Sequence, residues 1–152
     1  MKKVLVVCLG NICRSPTAEA VLRATAEQMQ IELEIDSAGT INNHQGNSPD
    51  KRSMAAGGAR GYSFKGITSR QVTDSDFEYF DHILAADNSN VKDLKSICPT
   101  HLQYKIELFL SYAQADTDEI PDPYYGGEAG FELVLDLLED ASSQLLNKLQ
   151  ER

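Results

Sequence analysis

The sequence alternates short apolar segments with helix-forming segments, and this alternation limits the folds that the chain can adopt. Residues 3–7 form an apolar run typical of a buried strand, and residues 17–29 are rich in the helix formers Ala, Leu, Glu and Gln. The same pattern predicts further strands at 32–36, 82–86 and 105–110, and further helices at 50–60, from Thr73 or Asp74, at 89–97 and at 131–149. Strands that alternate with helices form parallel sheets covered on both faces. We therefore expect a single α/β domain over residues 1–152, a three-layer sandwich with a four-stranded parallel sheet and helices on both faces.

Charge and composition exclude several classes of protein. The 152 residues include 14 Lys and Arg against 23 Asp and Glu, and the net charge of −9 disfavours binding to nucleic acids or anionic lipids. The longest apolar run, residues 4–9, is far shorter than the roughly 20 residues of a membrane span, and no signal peptide is evident. Three cysteines do not make a secreted disulfide framework, and no Cys/His spacing resembles a zinc site. We expect a cytoplasmic protein that uses no metal or other cofactor.

The segment between the first strand and the first helix, CLGNICRS at 8–15, carries the clearest chemistry. Five residues separate Cys8 from Arg14, so the backbone can curl with several N–H groups pointing inward. The following helix adds its unpaired N–H groups and the positive end of its dipole, which together suit a phosphate group. Arg14 can bind two phosphate oxygens at once, and the same positive field favours a nucleophilic thiolate at Cys8.

Each of these residues also has a purely structural interpretation. Cys8 alone could be a small buried residue at a strand end, and Arg14 an exposed charge at a helix start. Ser15 followed by Pro16 is typical of a helix N-cap with proline at the first helical position. The complete order of strand, cysteine, five residues, arginine, serine and helix favours the functional interpretation.

The segment CLGNICRSPTAEA at 8–20 resembles the phosphate-binding loop and following helix of the low-molecular-weight protein-tyrosine phosphatases. Four further segments support this resemblance in order: DSAGT at 36–40, NSPDKR at 47–52, YKIELFLSY at 104–112 and DPYYG at 122–126. The resemblance therefore covers essentially the whole chain. It implies hydrolysis of phosphotyrosine in proteins, and of small aryl phosphates.

The resemblance also implies a mechanism. Cys8 attacks the phosphorus and forms a phosphocysteine, while Arg14 and the loop bind the phosphoryl oxygens. Asp122 protonates the phenolic leaving group and then activates water, although Asp before Pro123 is also a common turn. Ser15 hydrogen-bonds the thiolate. The implied phosphate-binding loop comprises Leu9, Gly10, Asn11, Ile12, Cys13 and Ser15.

Supporting roles follow from the same resemblance. Asn11 matches the asparagine that holds the loop in a strained shape, with Ser37 as its partner, although Asn11 could be only a turn residue. Asp87 matches a structural aspartate at the end of the third strand. Tyr124 and Tyr125 match an aromatic wall of the substrate cleft, or else ordinary loop packing.

Two positions depart from the family pattern. A histidine that supports the asparagine network is replaced by Ile67, so we expect this network to be rearranged or lost. An aromatic residue that many members carry after DSAGT is replaced near Asn43. We therefore expect one wall of the cleft, at Asn43, to be less aromatic.

Cys13 lies five positions after Cys8 in the same loop, within expected disulfide reach. A disulfide formed after oxidation of Cys8 would protect it from irreversible oxidation, and the family loop often carries this second cysteine. The alternative is that Cys13 is a small packing residue.

Other functions remain open on the sequence alone. A thiol-coupled arsenate reductase needs further cysteines, and only Cys98 lies outside the loop. A phosphocysteine carrier domain of a sugar-uptake system needs no general acid, and a phosphotyrosine-binding module needs no nucleophile. The resemblance implies a phosphotyrosyl protein as partner, in bacteria often a tyrosine autokinase, and a monomer or weak dimer.

Overall fold

The computed structural model describes residues 1–123 and 127–150. Within these residues the structure contains four strands, five α-helices and two short 3₁₀ helices. The strands are β1 (Lys2–Cys8), β2 (Leu33–Gly39), β3 (His82–Ala85) and β4 (Ile106–Leu108). The α-helices are α1 (Arg14–Gln28), α2 (Lys51–Ala59), α3 (Asp74–Tyr79), α4 (Asn88–Ile97) and α5 (Gly127–Gln150), and the 3₁₀ helices are Thr100–Lys105 and Phe109–Tyr112.

The four strands form one parallel sheet in the order β2-β1-β3-β4. From β1 the chain crosses to β2 on one side of the sheet, and it later returns to β3 and β4 on the other side. The strand order therefore reverses between β1 and β3. Ligands of such sheets bind beyond the carboxyl ends of the strands at this point. Cys8, the last residue of β1, lies there.

Alternate residues of β1 pack into two separate hydrophobic cores. Val4 and Val6 contact the core beneath α1 and α5, and Leu5 and Val7 contact the core beneath α3 and α4. All four side chains are fully buried, as the apolar run predicts. Helices therefore cover both faces of the sheet, and the predicted three-layer α/β sandwich is confirmed.

The predicted elements are present, but several of their bounds differ. The fourth strand ends at Leu108 rather than at 110, because Phe109 and Leu110 enter a 3₁₀ helix. Both side chains are buried, so their apolar character did not distinguish strand from helix. The last helix begins at Gly127, about one turn before Phe131, which is the first residue of its predicted apolar face.

The predicted N-cap at Ser15 is wrong. Helix α1 begins at Arg14, and its N-cap residue is Cys13, which makes no capping side-chain hydrogen bond. Ser15 is instead the second helical residue, and its hydroxyl turns inward to the end of β1. Pro16 still lies in the first turn, where its missing N–H costs little.

Candidate active site

Residues 8–15, the catalytic loop, join the carboxyl end of β1 to the N-terminus of α1. Cys8 is 3% exposed at the base of this loop. The Ser15 hydroxyl oxygen lies 3.0 Å from the Cys8 Sγ, and the Ser15 backbone N–H donates to the same sulfur at 3.4 Å. The N-terminus of α1 therefore directs its partial positive charge and a hydrogen bond to the thiol, an arrangement that stabilises a thiolate.

A cavity of about 170 Å³ opens above Cys8 and combines three distant parts of the chain. Arg14 lines it from the start of α1, and Asp122 lines it from residues 113–123, the acid loop. The lining residues are Cys8, Leu9, Gly10, Ile12, Cys13, Arg14, Ile41, His44 and Asp122. A larger cavity, of about 530 Å³ between α2 and the first turn of α5, contains none of the three predicted catalytic residues.

Arg14 is oriented by two acceptors on one of its terminal nitrogens. This nitrogen donates to the Asp87 Oδ2 at 2.8 Å and to the Ile120 carbonyl oxygen at 3.0 Å. The opposite edge of the guanidinium has no hydrogen-bond partner among residues 1–123 and 127–150, so it can bind two phosphate oxygens. Asp87 is itself fixed, because its Oδ1 accepts a hydrogen bond from the Asn90 N–H in the first turn of α4.

Asn11 holds the catalytic loop in a left-handed backbone conformation, with φ of 55°. The side chain is 1% exposed, and its amide nitrogen donates to the hydroxyls of Ser15 at 2.8 Å and Ser37 at 3.0 Å. Its carbonyl oxygen accepts from the Arg70 backbone N–H at 3.0 Å. Since the Ser15 oxygen accepts from Asn11, the Ser15 hydroxyl can donate its hydrogen to the Cys8 sulfur at 3.0 Å or to the Ala38 carbonyl oxygen at 3.5 Å. These contacts keep a strained loop in one shape.

Glu19 supports this network, and the sequence analysis missed it. It lies one turn after Ser15 on α1, is 2% exposed, and its Oε1 accepts a hydrogen bond from the Ser37 hydroxyl at 2.6 Å. Burial raises the pKa of Glu19, opposed by this hydrogen bond and by an ion pair with Arg23. The available signal was a carboxylate four residues after a serine in a segment of small and apolar residues.

The asparagine network is retained although Ile67 replaces the family histidine. Ile67 is buried, and the residues after it contact the loop directly. The Ser69 hydroxyl donates to the Gly10 carbonyl oxygen at 2.9 Å, and the Arg70 backbone N–H donates to the Asn11 side-chain oxygen. The loss expected from Ile67 is therefore not observed.

Cys13 contacts α2 through Ser53, another residue that the sequence analysis missed. The Cys13 Sγ lies 3.0 Å from the Ser53 hydroxyl oxygen, and the Asp50 backbone N–H donates to the neighbouring Ile12 carbonyl oxygen at 2.6 Å. Burial raises the pKa of Cys13 to about 11. The thiol is thus neutral at pH 7, and both Cys8 and Cys13 are free.

Asn43 was predicted to lie in one wall of the substrate cleft. Asn43 is exposed and does not line the cavity, whereas Ile41 and His44 do. Asn43 lies in a turn in which the Asn42 carbonyl oxygen accepts a hydrogen bond from the Gln45 N–H at 3.1 Å, and both Asn42 and Asn43 are exposed. The His44 ring lies against Gly10, where a Cβ atom would be 3.0 Å from the ring. The two other predicted wall residues, Tyr124 and Tyr125, lie outside the described residues.

Comparison with known proteins agrees with this geometry. A family model described as low molecular weight phosphotyrosine protein phosphatase matches residues 3–152. The chain belongs to this family. The phosphatase is 40% identical over 154 residues to a low molecular weight protein-tyrosine-phosphatase of Bacillus subtilis, with 99% of this chain and 97% of that protein covered. It is 46% identical over 137 residues to the low molecular weight phosphotyrosine protein phosphatase of Mus musculus, with 88% and 86% covered.

Solved structures show the same relationship. A crystal structure of a protein tyrosine phosphatase from Entamoeba histolytica, with Hepes in its active site, matches the phosphatase with a TM-score of 0.95 and 45% identity, covering 99% of this chain and 98% of that one. The phosphatase is a hydrolase of phosphoric monoesters and acts on phosphotyrosine. Within residues 1–123 and 127–150, no three His, Cys, Asp or Glu side chains form a group that could hold a metal ion, and no helix is long and apolar enough to span a membrane.

Proposed function

We propose that the phosphatase hydrolyses phosphotyrosine in proteins, and small aryl phosphates, through a phosphocysteine on Cys8 with Asp122 as general acid and base. The observation that carries this proposal is the single cavity that unites Cys8, Arg14 and Asp122 from three separate segments. A nucleophile, an oxyanion-binding cation and a proton donor are the groups that such a reaction requires.

In the first step, the Cys8 sulfur attacks the phosphorus, and a sulfur–phosphorus bond forms as the phosphorus–oxygen bond to the phenol breaks. Arg14 and the backbone N–H groups of the catalytic loop bind the remaining phosphoryl oxygens. Asp122 transfers its proton to the departing phenolic oxygen, which leaves as a neutral phenol.

In the second step, water attacks the phosphocysteine. Asp122, now ionised, takes a proton from that water, and the sulfur–phosphorus bond breaks to release phosphate. The Ser15 hydroxyl and backbone N–H, at 3.0 Å and 3.4 Å from the sulfur, stabilise the thiolate that leaves.

The depth of the thiol supports an aryl substrate. Because Cys8 is 3% exposed at the base of the cavity, a phosphoryl group must reach it on a long side chain. The ring of phosphotyrosine spans that depth better than the shorter side chain of phosphoserine. Ile41 and His44 line the same cavity and would contact the substrate ring.

Two rival reactions are less well supported. An arsenate reductase needs a further cysteine to resolve the arsenylated thiol, but Cys98 is buried in the core beneath α3 and α4 and does not line the cavity. A phosphocysteine carrier needs no acid, whereas Asp122 lines the cavity.

Partner and compartment stay predictions. We propose a phosphotyrosyl protein as substrate, such as a bacterial tyrosine autokinase, and action as a monomer or weak dimer. A reduced Cys8 requires a reducing compartment, so the cytoplasm remains the predicted location.

The test compares rates on a phosphotyrosine peptide, a phosphoserine peptide and arsenate with a thiol reductant, all without added metal. We expect rapid hydrolysis of phosphotyrosine, at least about 100-fold slower hydrolysis of phosphoserine, and no arsenate reduction. Arsenate reduction, or a loss of phosphotyrosine hydrolysis with a chelator, would contradict the proposal.

A further inference from the structure

The segment 119–122, which leads to the predicted acid, is attached to β3 and to the catalytic arginine through Ile120. The Ile120 backbone N–H donates to the Ala86 carbonyl oxygen at 2.7 Å, just beyond the end of β3. The Ile120 carbonyl oxygen accepts from Arg14 at 3.0 Å, and its side chain is 1% exposed. Asp122 follows only two residues later, so its position depends on how firmly this segment is held.

Glu119 adds a side-chain attachment to the same segment. Its Oε2 accepts a hydrogen bond of 2.8 Å from the backbone N–H of Asn88, the first residue of α4. A carboxylate at a helix N-terminus is stabilised by the helix dipole as well as by the hydrogen bond.

The first turn of helix α4 therefore donates hydrogen bonds to two segments of the active site. Its Asn90 N–H fixes Asp87, which orients Arg14, and its Asn88 N–H fixes Glu119, which precedes Asp122. The cation that binds the phosphate and the group that protonates the leaving oxygen share one rigid anchor.

The acid loop is weakly held before Glu119. Residues 114–118 are exposed, and the Gln114 N–H donates to the Asp140 carboxylate at 2.9 Å. Among the described residues, the Thr117 hydroxyl forms hydrogen bonds only with the backbone of Glu119. Within the described part of the chain, Glu119 is thus the first residue after Gln114 whose side chain attaches the loop to the sheet layers.

We propose that Glu119 is a positioning residue for the general acid. Its carboxylate holds residues 119–122 to the N-terminus of α4 and so keeps Asp122 over the catalytic loop. Without this contact the segment moves more freely, and the proton reaches the leaving oxygen less often. The inference rests on the proposed role of Asp122, and it leaves the attack by Cys8 itself unaffected.

The experiment measures kcat/KM for a series of aryl phosphates whose leaving phenols range from acidic to basic. The variants are Glu119→Ala, Glu119→Gln, Asp122→Ala and the control Asp118→Asn. Asp118 is exposed, adjacent in sequence and makes no side-chain hydrogen bond to a described residue, and its substitution removes one negative charge as Glu119→Gln does.

Glu119→Ala should lower kcat/KM about fivefold for the most basic leaving group and less than twofold for the most acidic. Glu119→Gln keeps an oxygen that can accept from the Asn88 N–H, so it should recover most of the loss. Asp118→Asn should match the wild type across the series. The rate of alkylation of Cys8 by iodoacetate should stay unchanged in Glu119→Ala, Glu119→Gln and Asp118→Asn, which verifies a folded catalytic loop.

The outcomes separate this inference from the proposed function. A uniform loss across the series in Asp122→Ala would reject Asp122 as the acid, whatever Glu119 does. A strong dependence on the leaving group in Asp122→Ala, with a uniform loss or no loss in Glu119→Ala, would overturn the role of Glu119 alone. Equal profiles for Glu119→Ala and Glu119→Gln would also overturn it, because the accepting oxygen would then be irrelevant.

Discussion

In the catalytic loop, Asn11 and Ser15 are 1% and 0% exposed and are tied to β2, whereas in the acid loop residues 114–118 are all exposed. The catalytic loop is fixed from several sides, by Ser37 on β2, by Ser53 on α2 and by the backbone of Arg70. The acid loop is fixed mainly at one end, around Ile120. In the proposed mechanism, the group that attacks phosphorus therefore lies in the core of the molecule, whereas the group that transfers the proton lies on a surface segment.

The largest expected effect is that of Cys8→Ser. A serine hydroxyl at this position is a far weaker nucleophile than a thiolate, so turnover should fall at least about 10⁴-fold while the fold is retained. Turnover of a phosphotyrosine peptide and thermal unfolding measure the two effects. The matched control Cys98→Ser, in the opposite core, should retain turnover. Substantial turnover in Cys8→Ser would show that the catalytic loop does not supply the nucleophile.

Asp122→Ala tests the acid loop in the same way. Its kcat/KM should fall about 10²- to 10³-fold for basic leaving groups and much less for acidic ones, because acidic phenols leave without a proton. Asp116→Ala, an exposed substitution in the same loop, is the control. A loss that does not vary with the leaving group would assign Asp122 a structural role.

Asn11→Ala tests whether the hydrogen bonds of Asn11 fix the conformation of the catalytic loop. The variant loses three hydrogen bonds and places alanine at a φ of 55°, so unfolding should become about 3 kcal/mol easier. Turnover should also fall, since Ser15 loses the hydrogen bond from Asn11 that positions its hydroxyl beside the Cys8 sulfur. Chemical denaturation measures the stability change, and Asn42→Ala, at an exposed position, is the control. A change below about 0.5 kcal/mol would mean that the loop keeps its shape without Asn11.

The smallest effect concerns Cys13 and appears only under oxidation. After peroxide treatment, dithiothreitol should restore most activity of the wild type and little of Cys13→Ser, if a disulfide protects Cys8. Burial raises the pKa of Cys13 to about 11, so its thiolate fraction, and with it the rate of disulfide formation, should rise about tenfold for each pH unit between 7 and 9. Equal recovery in both proteins would leave Cys13 as a packing residue against Ser53.

Sequence reasoning succeeded where local pattern decides the structure. The strand and helix order followed from alternating apolar and helix-forming segments, and the catalytic loop followed from its position between the first pair. The contacts of Asn11 with Arg70, and of Ser37 with Glu19, join residues 59 and 18 positions apart, and no local rule predicts such pairs.

One local rule failed clearly, and one predicted cleft residue does not line the cavity. Ser15 before Pro16 fits the N-cap pattern, but the buried Cys8 sulfur and Asn11 attract its hydroxyl inward. At Ser15, a tertiary contact therefore outweighed the sequence signal. Asn43 was chosen by its alignment with an aromatic position, but Asn43 is exposed, and the neighbouring His44 lines the cavity.

The central position of β1 in the sheet has a consequence for how the enzyme loses activity. Cys8 ends a strand that is paired on both sides, and the amides beneath it exchange with solvent only when the whole core opens. The three-residue edge strand β4 can fray without disturbing the thiol. Amide hydrogen exchange should therefore show β1 protected to the level of global unfolding, and heat should inactivate the thiol chemistry only as the domain itself melts.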